Sequence, residues 1–304
     1  MHPLRGIAFK TSAILLFTVM SALIKASSSE VPPGEAVFFR SFFAMPVIVA
    51  WLFFRGELRT GFHTDWPMGH VWRGVVGVTA MGCGFAALGL LPLPEVTALG
   101  YAAPLMTVLL AALLLGERLR AFRISAVLVG LVGVLIVLWP RISVDNLDQA
   151  ATMGVALMMV SAAMRALAQV HVRRLVATEQ TSAIVFWFSM TATVLSLFTL
   201  PFGWQVPSPP ILLCLIMAGL IGGFGQILLT TAYRHAEAAV LAPFDYASLL
   251  FAILIGYTVF DEVPTTMVLL GSAVVMSAGG AIVWRERQLG LQRGRARPNM
   301  TPNG

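Results

Sequence analysis

Five polar or aromatic side chains that are suited to solute binding lie inside long apolar stretches of this sequence. Arg165 and Asp245 are charged. Gln169 and Gln226 carry amides, and Trp187 offers a flat ring with one N–H donor. A charge inside a bilayer costs about 3 kcal/mol or more, so it is kept where it serves binding, proton transfer or an ion pair. These residue types indicate recognition of a polar solute by charge, hydrogen bonds and ring contacts.

Arg165 and Asp245 are predicted to lie at the same depth in the membrane. Arg165 lies eight residues before Arg173, and Asp245 lies eight residues after Glu237. On helices, each is about 12 Å from the same membrane edge. Two interpretations stay open. Arg165 binds an anionic substrate group or exchanges partners with Asp245 during gating, or the two residues form a permanent ion pair.

A tyrosine-to-glutamate segment occurs twice. Tyr101 is followed sixteen residues later by Glu117, and Tyr246 by Glu262 at the same spacing. Two tyrosines inside helices offer either a site for a ring-bearing substrate or ordinary core packing. The glutamates fall at helix ends, where we expect them to bond backbone or loop donors in a structural or gating role.

Glu35 and Arg40 lie near the start of the second apolar stretch. A carboxylate in the first turn of a helix is stabilised by the helix dipole, so Glu35 is predicted to be structural. Arg40 either receives substrate or bonds Glu35, a helix end or a loop, and we favour the structural role.

The elements that must position these residues are membrane-spanning helices. The chain has 304 residues, of which 58% are hydrophobic and only 11% charged. A bilayer core needs about 20 mostly apolar residues per helix, and its backbone must satisfy its own hydrogen bonds. The sequence therefore predicts an all-α membrane protein with ten transmembrane helices. The apolar stretches lie near 7–25, 34–54, 71–91, 95–115, 122–140, 151–172, 181–201, 210–232, 237–259 and 264–284.

The distribution of basic residues predicts the orientation. Of the 20 Lys and Arg residues, Arg40 and Arg165 lie inside these stretches, sixteen fall on one side, and only Lys25 and Arg141 fall on the other. Basic residues concentrate on the cytoplasmic side of membrane proteins. Both termini are therefore predicted to be cytoplasmic, in a bacterial inner membrane. This placement explains the sequence pI of about 10 without a nucleic-acid partner.

The two halves form a predicted inverted repeat. Five helices in each half turn the second copy upside down relative to the first, an arrangement that builds a central site with two gates in many secondary transporters. The predicted units are a first repeat at 1–143, a second repeat at 144–285 and a basic, disordered tail at 286–304.

Four short segments resemble the EamA type of the drug/metabolite transporter superfamily. They are PGEAVFFR at 33–40, LLLGERL at 113–119, APFDY at 242–246 and VFDE at 259–262. The resemblance spans residues 5 to 285. The second repeat ends in Asp-Glu where the family usually has Gly-Glu. The segment at 242–246 is most similar to the branch of riboflavin and S-adenosylmethionine uptake proteins.

The resemblance implies ten helices in two five-helix repeats, with the spans that carry Tyr101 and Tyr246 beside a central cavity. Members of the family import or export amino acids, nucleotide-like metabolites, vitamins and drugs. The sequence therefore predicts a secondary transporter that moves a small organic metabolite by alternating access. Uptake of a riboflavin-like vitamin, export of amino acids or drugs, and a passive channel are the alternatives.

The predicted substrate-binding residues share polar or aromatic character inside the spans. No catalytic constellation, phosphate loop or metal-ligand spacing occurs in the sequence, so neither an enzyme nor a cofactor is predicted. Direction, coupling and oligomeric state stay open, and the expected partners are a small metabolite and the lipid bilayer. The predicted binding residues are Tyr101, Arg165, Gln169, Trp187, Gln226, Asp245 and Tyr246.

Overall fold

In a computed structural model, the chain folds as a bundle of α-helices. The structure describes residues 3–58, 61–115, 121–142, 149–175, 178–235 and 241–295. Within these ranges all regular elements are helical. In chain order they are α1 (Pro3–Ser27), α2 (Pro33–Phe54), α3 (Pro67–Leu90), α4 (Leu93–Gly100), α5 (Ala102–Leu115), α6 (Ala121–Ile142), α7 (Gln149–Leu175), α8 (Thr181–Leu197), α9 (Pro209–His235), a 3-10 segment (Ala242–Tyr246), α10 (Ala247–Phe260) and α11 (Thr266–Arg295).

The helices are apolar enough for a membrane protein. Within the described ranges, six helical segments have the length and composition to cross a bilayer, and four further apolar helices are shorter. Together they coincide with the ten predicted stretches. The fourth stretch is formed by α4 and α5, and the ninth by the 3-10 segment and α10. The prediction of an all-α membrane protein is confirmed.

The helix ends lie at two faces of the bundle. We call the face where α1 begins the N-terminal face and the other the opposite face. At the N-terminal face the end of α7 meets the start of α3, where His171 Nε2 lies 2.9 Å from the carbonyl oxygen of Gly69. At the opposite face the start of α2 meets the loop before α9. Proline opens α2, α3 and α9, because its missing N–H costs nothing at the first helical position.

Four helices of the first half each pack along a helix of the second half. The pairs are α1 with α9, α2 with α8, α3 with α7, and α6 with α11. One close approach joins α6 and α11, where a Cβ at Gly133 would lie 2.8 Å from the carbonyl oxygen of Gly271. Small residues at such crossings bring two backbones into direct contact. The halves are thus interleaved rather than side by side.

The last helix is longer than the sequence predicts. α11 continues to Arg295, through the first ten residues of the segment for which a disordered tail is predicted. Residues 296–304 lie outside the described residues.

Candidate functional site

The fourth and ninth spans are both interrupted at their repeated tyrosines. α4 ends at Gly100, and Tyr101 donates its N–H to the carbonyl of Ala98 at 3.2 Å, a bond to the residue three positions earlier. Pro104 has no N–H to donate to the Gly100 carbonyl, which explains the break. In the ninth span, the 3-10 segment ends at Tyr246 before α10 begins. The two interruptions leave irregular backbone inside the bundle, a feature of transporter binding sites.

The two tyrosines meet at these interruptions. Their ring centroids are 5.3 Å apart in an edge-to-face arrangement. The hydroxyl of Tyr101 accepts the N–H of Leu249 at 3.0 Å and lies 2.8 Å from Ser248 Oγ. Leu249 is in the first turn of α10, where helix N–H groups lack intrahelical acceptors. Tyr101 of the first half therefore caps a helix of the second half, while Tyr246 makes the ring contact.

Arg165 lies beside the interruption of the fourth span. Its Nη2 donates to Ser161 Oγ at 3.1 Å and lies 3.7 Å from Met158 Sδ. A Cβ at Gly100 would lie 3.6 Å from Nη1, and one at Gly84 would lie 3.7 Å from Nη2. Among the described residues, neither Nη1 nor Nε has an acceptor. The guanidinium thus has free donors at the point where the helix is broken.

α7 has two exposed faces. Met153 and Val160 are exposed on an apolar face that suits lipid. Arg165 and Gln169 are also exposed, and they lie on the other side of the helix, since each residue advances by about 100°. Because the Arg165 guanidinium adjoins Gly84 of α3 and Gly100 of α4, this polar face is directed toward these helices rather than toward lipid.

Asp245 pairs with Lys10 of α1 rather than with Arg165. Lys10 Nζ lies 2.7 Å from Asp245 Oδ1, and the side chains are 4% and 50% exposed respectively. The hypothesis that Arg165 and Asp245 form a pair is therefore wrong for this structure. Equal depth does not determine the direction of a side chain, and Asp245 in the 3-10 segment faces α1.

Trp187 and Gln226 lie away from the tyrosine pair. The indole N–H of Trp187 donates to the carbonyl of Phe62 at 3.0 Å, which anchors the loop between α2 and α3 at the N-terminal face. Gln226 lines a small pocket with Ile48 and Trp51, between α9 and α2. Of the seven predicted binding residues, these two have surroundings separate from the rest.

One ion pair and its bonds to backbone groups join three elements at the opposite face. Lys25 Nζ lies 2.9 Å from Glu262 Oε1 and donates to the carbonyls of Leu91 at 2.7 Å and Leu88 at 3.1 Å. Glu262 Oε2 accepts the N–H of Leu93, at the start of α4, at 2.7 Å. We call Lys25, Glu262 and Leu93 the opposite-face cluster. It joins α1, α4 and α10 across the two halves.

Glu35 and Arg40 do not contact each other in a hydrogen bond or ion pair. Glu35 Oε2 accepts the backbone N–H of Gln205 at 3.1 Å, which ties α2 to the loop before α9. The guanidinium of Arg40 lies over the ring of Phe188 on α8, with Cζ 5.9 Å from the centroid. Of the alternatives for Arg40, a bond to Glu35 is therefore not the one found in this structure. Glu117 lies outside the described residues.

A buried carboxylate at the N-terminal face is absent from the sequence-based predictions. Glu179 Oε1 accepts hydrogen bonds from the hydroxyl of Thr64 at 3.0 Å and from the backbone N–H groups of Asp65 at 3.0 Å and Trp66 at 2.9 Å. The other carboxylate oxygen, Oε2, lies 3.5 Å from His70 Nε2. We call these residues the N-terminal-face cluster. Burial raises the pKa of Glu179, but the three hydrogen bonds outweigh it and hold the pKa below its ordinary value. A lone loop glutamate gives no periodic signal that predicts this role.

The arrangement is suited to noncovalent binding. Within the described ranges, no group of three or more His, Cys, Asp or Glu side chains is placed to hold a metal ion. The exposed polar side of α7 instead presents the charged Arg165, whose Nη1 adjoins Gly100 at the end of α4, and the amide of Gln169. A solute with an acidic group and a flat part fits this chemistry.

The chain matches the model of the EamA-like transporter family twice, over residues 4–139 and 152–284. It is similar to the Pseudopaline exporter CntI of Pseudomonas aeruginosa, with 31% identity over 277 residues that cover 90% of this chain and 94% of the exporter.

Two further relatives carry transporter names. The S-adenosylmethionine uptake transporter of Rickettsia prowazekii is 24% identical over 285 residues, covering 94% of each chain. The Riboflavin transporter of Rhizobium johnstonii is 30% identical over 224 residues, which cover 73% of this chain and 72% of the relative.

Proposed function

Because the chain belongs to the EamA-like transporter family, we propose that it moves a small organic metabolite across the bacterial inner membrane by alternating access. The observation that carries this proposal is the meeting of two interrupted spans. Tyr101 of the first half caps α10 of the second, and the exposed, partly unpaired Arg165 adjoins Gly100, where α4 ends. A solute bound there touches both halves, so their relative movement changes the side from which it is reached.

The proposed moving units are the two inverted repeats, 1–143 and 144–285. The N-terminal face is cytoplasmic in this proposal, in agreement with the excess of Lys and Arg on that side. The opposite face is then periplasmic, and Lys25 and Glu262 form its gate. Arg165 and Gln169 are exposed while this gate is closed, which supports an inward-facing state.

Arg165 and Tyr101 are the central substrate-binding residues in this proposal. The guanidinium of Arg165 pairs with an acidic group of the solute, and Tyr101 and Tyr246 contact a ring or other flat part. Gln169 lies one helical turn from Arg165 and adds an amide. The relatives include one protein named an exporter and one named an uptake transporter, so both directions are compatible with the family. Uptake of a riboflavin-like vitamin and export of amino acids or drugs are the specific candidates.

Accessibility of a single thiol tests alternating access without knowledge of the substrate. Gln169→Cys is made in a chain with Cys83→Ala and Cys214→Ala, and is labelled with a membrane-impermeant thiol reagent. We expect labelling in inside-out vesicles and little in right-side-out vesicles. Adding Lys25→Met and Glu262→Gln increases labelling from the periplasmic side, because the gate is lost. Ala156→Cys, on the apolar face of α7, is the control and stays unlabelled from both sides.

Transport of labelled solutes tests the activity itself. The full chain in proteoliposomes is offered riboflavin, S-adenosylmethionine and a set of amino acids. We expect saturable uptake of at least one solute, accelerated by the same solute on the other side. Arg165→Gln abolishes the uptake, whereas Arg55→Gln, an exposed arginine at the end of α2, preserves it. Flux that neither saturates nor responds to internal solute would identify a channel and contradict the proposal.

A further inference from the structure

Two arginines enter the bundle from opposite faces and meet at one aromatic ring. Arg40 lies seven residues after the start of α2, which is about 10 Å from the opposite face. Arg73 lies six residues after the start of α3, which is about 10 Å from the N-terminal face. The Cζ atoms of Arg40 and Arg73 lie 5.9 Å and 4.1 Å from the ring centroid of Phe188. Two positive charges are thus held together in the middle of the bundle.

Neither guanidinium has an acceptor among the described residues. Arg40 is 4% exposed, and the Nε atoms of both arginines are buried without a hydrogen-bond partner. The neighbouring Ser41 Oγ also has no partner. A ring face attracts a guanidinium, but the N–H donors lie in the guanidinium plane and stay unsatisfied. Unpaired charges at such depth mark a binding site or a solute pathway.

Glycines leave the space that the two side chains occupy. A Cβ at Gly222 of α9 would lie 3.5 Å from Arg40 Nε, and a Cβ at Gly77 of α3 would lie 3.0 Å from Arg73 Nη1. These two glycines have the same separation in sequence as the repeated tyrosines. Because Gly77 belongs to the first half and Gly222 to the second, the arginines lie where the two halves meet.

We propose that Arg40, Arg73 and Phe188 form an anion site that binds a carboxylate or phosphate group of the transported metabolite. This inference rests on the proposed function and assigns its substrate class: organic anions, with a second acidic group at Arg165. An oxyanion supplies the missing acceptors, because a guanidinium binds carboxylate or phosphate through two parallel hydrogen bonds. It also neutralises the repulsion between the arginines.

A purely structural role for this cluster makes the opposite prediction. If Arg40 were present to hold α2 against α8, its removal would destabilise the empty protein. If Arg40 belongs to a ligand site, its removal relieves an uncompensated charge, and the empty protein becomes more stable. The sign of the change in Tm therefore separates the two roles.

Thermal unfolding of the purified full chain, followed by tryptophan fluorescence, measures that sign. Citrate and inorganic phosphate are titrated separately at constant ionic strength, with sodium chloride as the reference. We expect a saturable rise in Tm with citrate, with phosphate or with both, which also distinguishes carboxylate from phosphate binding. Arg40→Met raises the Tm of the empty protein and removes the anion-dependent rise. Arg55→Met is the matched control and keeps the anion-dependent rise.

Three results overturn the anion site. They are no saturable effect of either anion on the wild type, an unchanged effect in Arg40→Met, or a lower Tm of empty Arg40→Met. If Arg40→Met does not fold, Arg73→Met decides: an anion affinity about tenfold weaker supports the site, and an unchanged affinity overturns it. If the protein transports a solute but binds neither anion, the anion site is contradicted and the proposed function is not. If it binds an anion but transports no solute, the proposed function is contradicted and the anion site is not.

Discussion

Carboxylates at the two faces of the bundle hold the halves together in different ways. At the opposite face, Glu262 is 15% exposed and is neutralised by the Lys25 ammonium, with one further bond to a backbone N–H. At the N-terminal face, Glu179 is 2% exposed and is held by a hydroxyl and two backbone N–H groups.

The difference separates a contact that can open from one that is permanent. When Lys25 and Glu262 separate, water can solvate both charges at this partly exposed site. The free-energy cost of opening is therefore small enough for a gate. Parting Glu179 from its donors leaves a buried carboxylate and unpaired backbone N–H groups, which is far more costly. We therefore interpret the N-terminal-face cluster as an anchor for the loop before α3, and the opposite-face cluster as a gate.

The largest expected effect is at the anchor. Glu179→Ala leaves the N–H groups of Asp65 and Trp66 without their acceptor and lowers the free energy of unfolding by about 3 kcal/mol. Glu57→Ala, at an exposed pair with Arg55, changes it by about 0.5 kcal/mol or less. Reversible unfolding in mixed detergent measures both. Equal effects of the two substitutions would contradict the anchor.

Removing one partner of the gate has a smaller effect. Lys25→Met leaves the Glu262 charge partly buried and costs about 2 kcal/mol of unfolding free energy. Glu262→Gln in the same chain restores part of this loss, since the uncompensated charge is gone. A double-mutant cycle from unfolding curves at low and high salt gives the coupling energy. A coupling that does not weaken with salt argues against a solvated gate.

In the middle of the bundle, the Tyr101 hydroxyl joins the two halves through a hydrogen bond without a charged group. Tyr101→Phe removes the acceptor of the Leu249 N–H and costs about 1 kcal/mol. Tyr246→Phe is the matched control, because no hydrogen bond of the Tyr246 hydroxyl is found in the described part of the chain, and its cost is close to zero. Unfolding curves of the two variants make the comparison. An equal loss would show that the tyrosines are equivalent in energy as well as in sequence.

The smallest effect is the pH dependence of the anchor. The pKa of Glu179 in the folded protein lies below its ordinary value of 4.5. Its contribution to stability is therefore fully present above pH 4.5 and is lost as the pH falls through the folded pKa. Unfolding of the wild type and Glu179→Gln is compared from pH 7 to pH 3.5. We expect the difference between them to be constant down to about pH 4.5 and to shrink below it.

The helices could be predicted from the sequence, whereas the contact between the two tyrosines could not. Long apolar stretches specify helices because a bilayer leaves the backbone no other partner. The repeated spacing after Tyr101 and Tyr246 indicated equivalent positions, and the structure brings these rings into contact. The role of the Tyr101 hydroxyl as a cap of α10 was not predictable, since it depends on a helix in the other half.

The partners of the charged residues could not be predicted in the same way. Depth along a helix follows from residue number, but the direction of a side chain around the helix depends on how the helices pack. This is why a pair of Asp245 with Arg165 was possible from the sequence, whereas Asp245 is found with Lys10. It also explains why several partners for Arg40 stayed open in the sequence, whereas the structure places its guanidinium over Phe188 with that of Arg73.

The sequence by itself determined that the chain is a helical membrane protein, and its motifs indicated the transporter family. The first follows from the length of the apolar stretches, and the second from four short sequence motifs. Both are local properties of the chain. Only the tertiary structure decided which charges are paired, which are exposed and which are buried without acceptors. Those properties depend on contacts between residues that are far apart in the chain, such as Lys25 with Glu262 and Arg40 with Phe188.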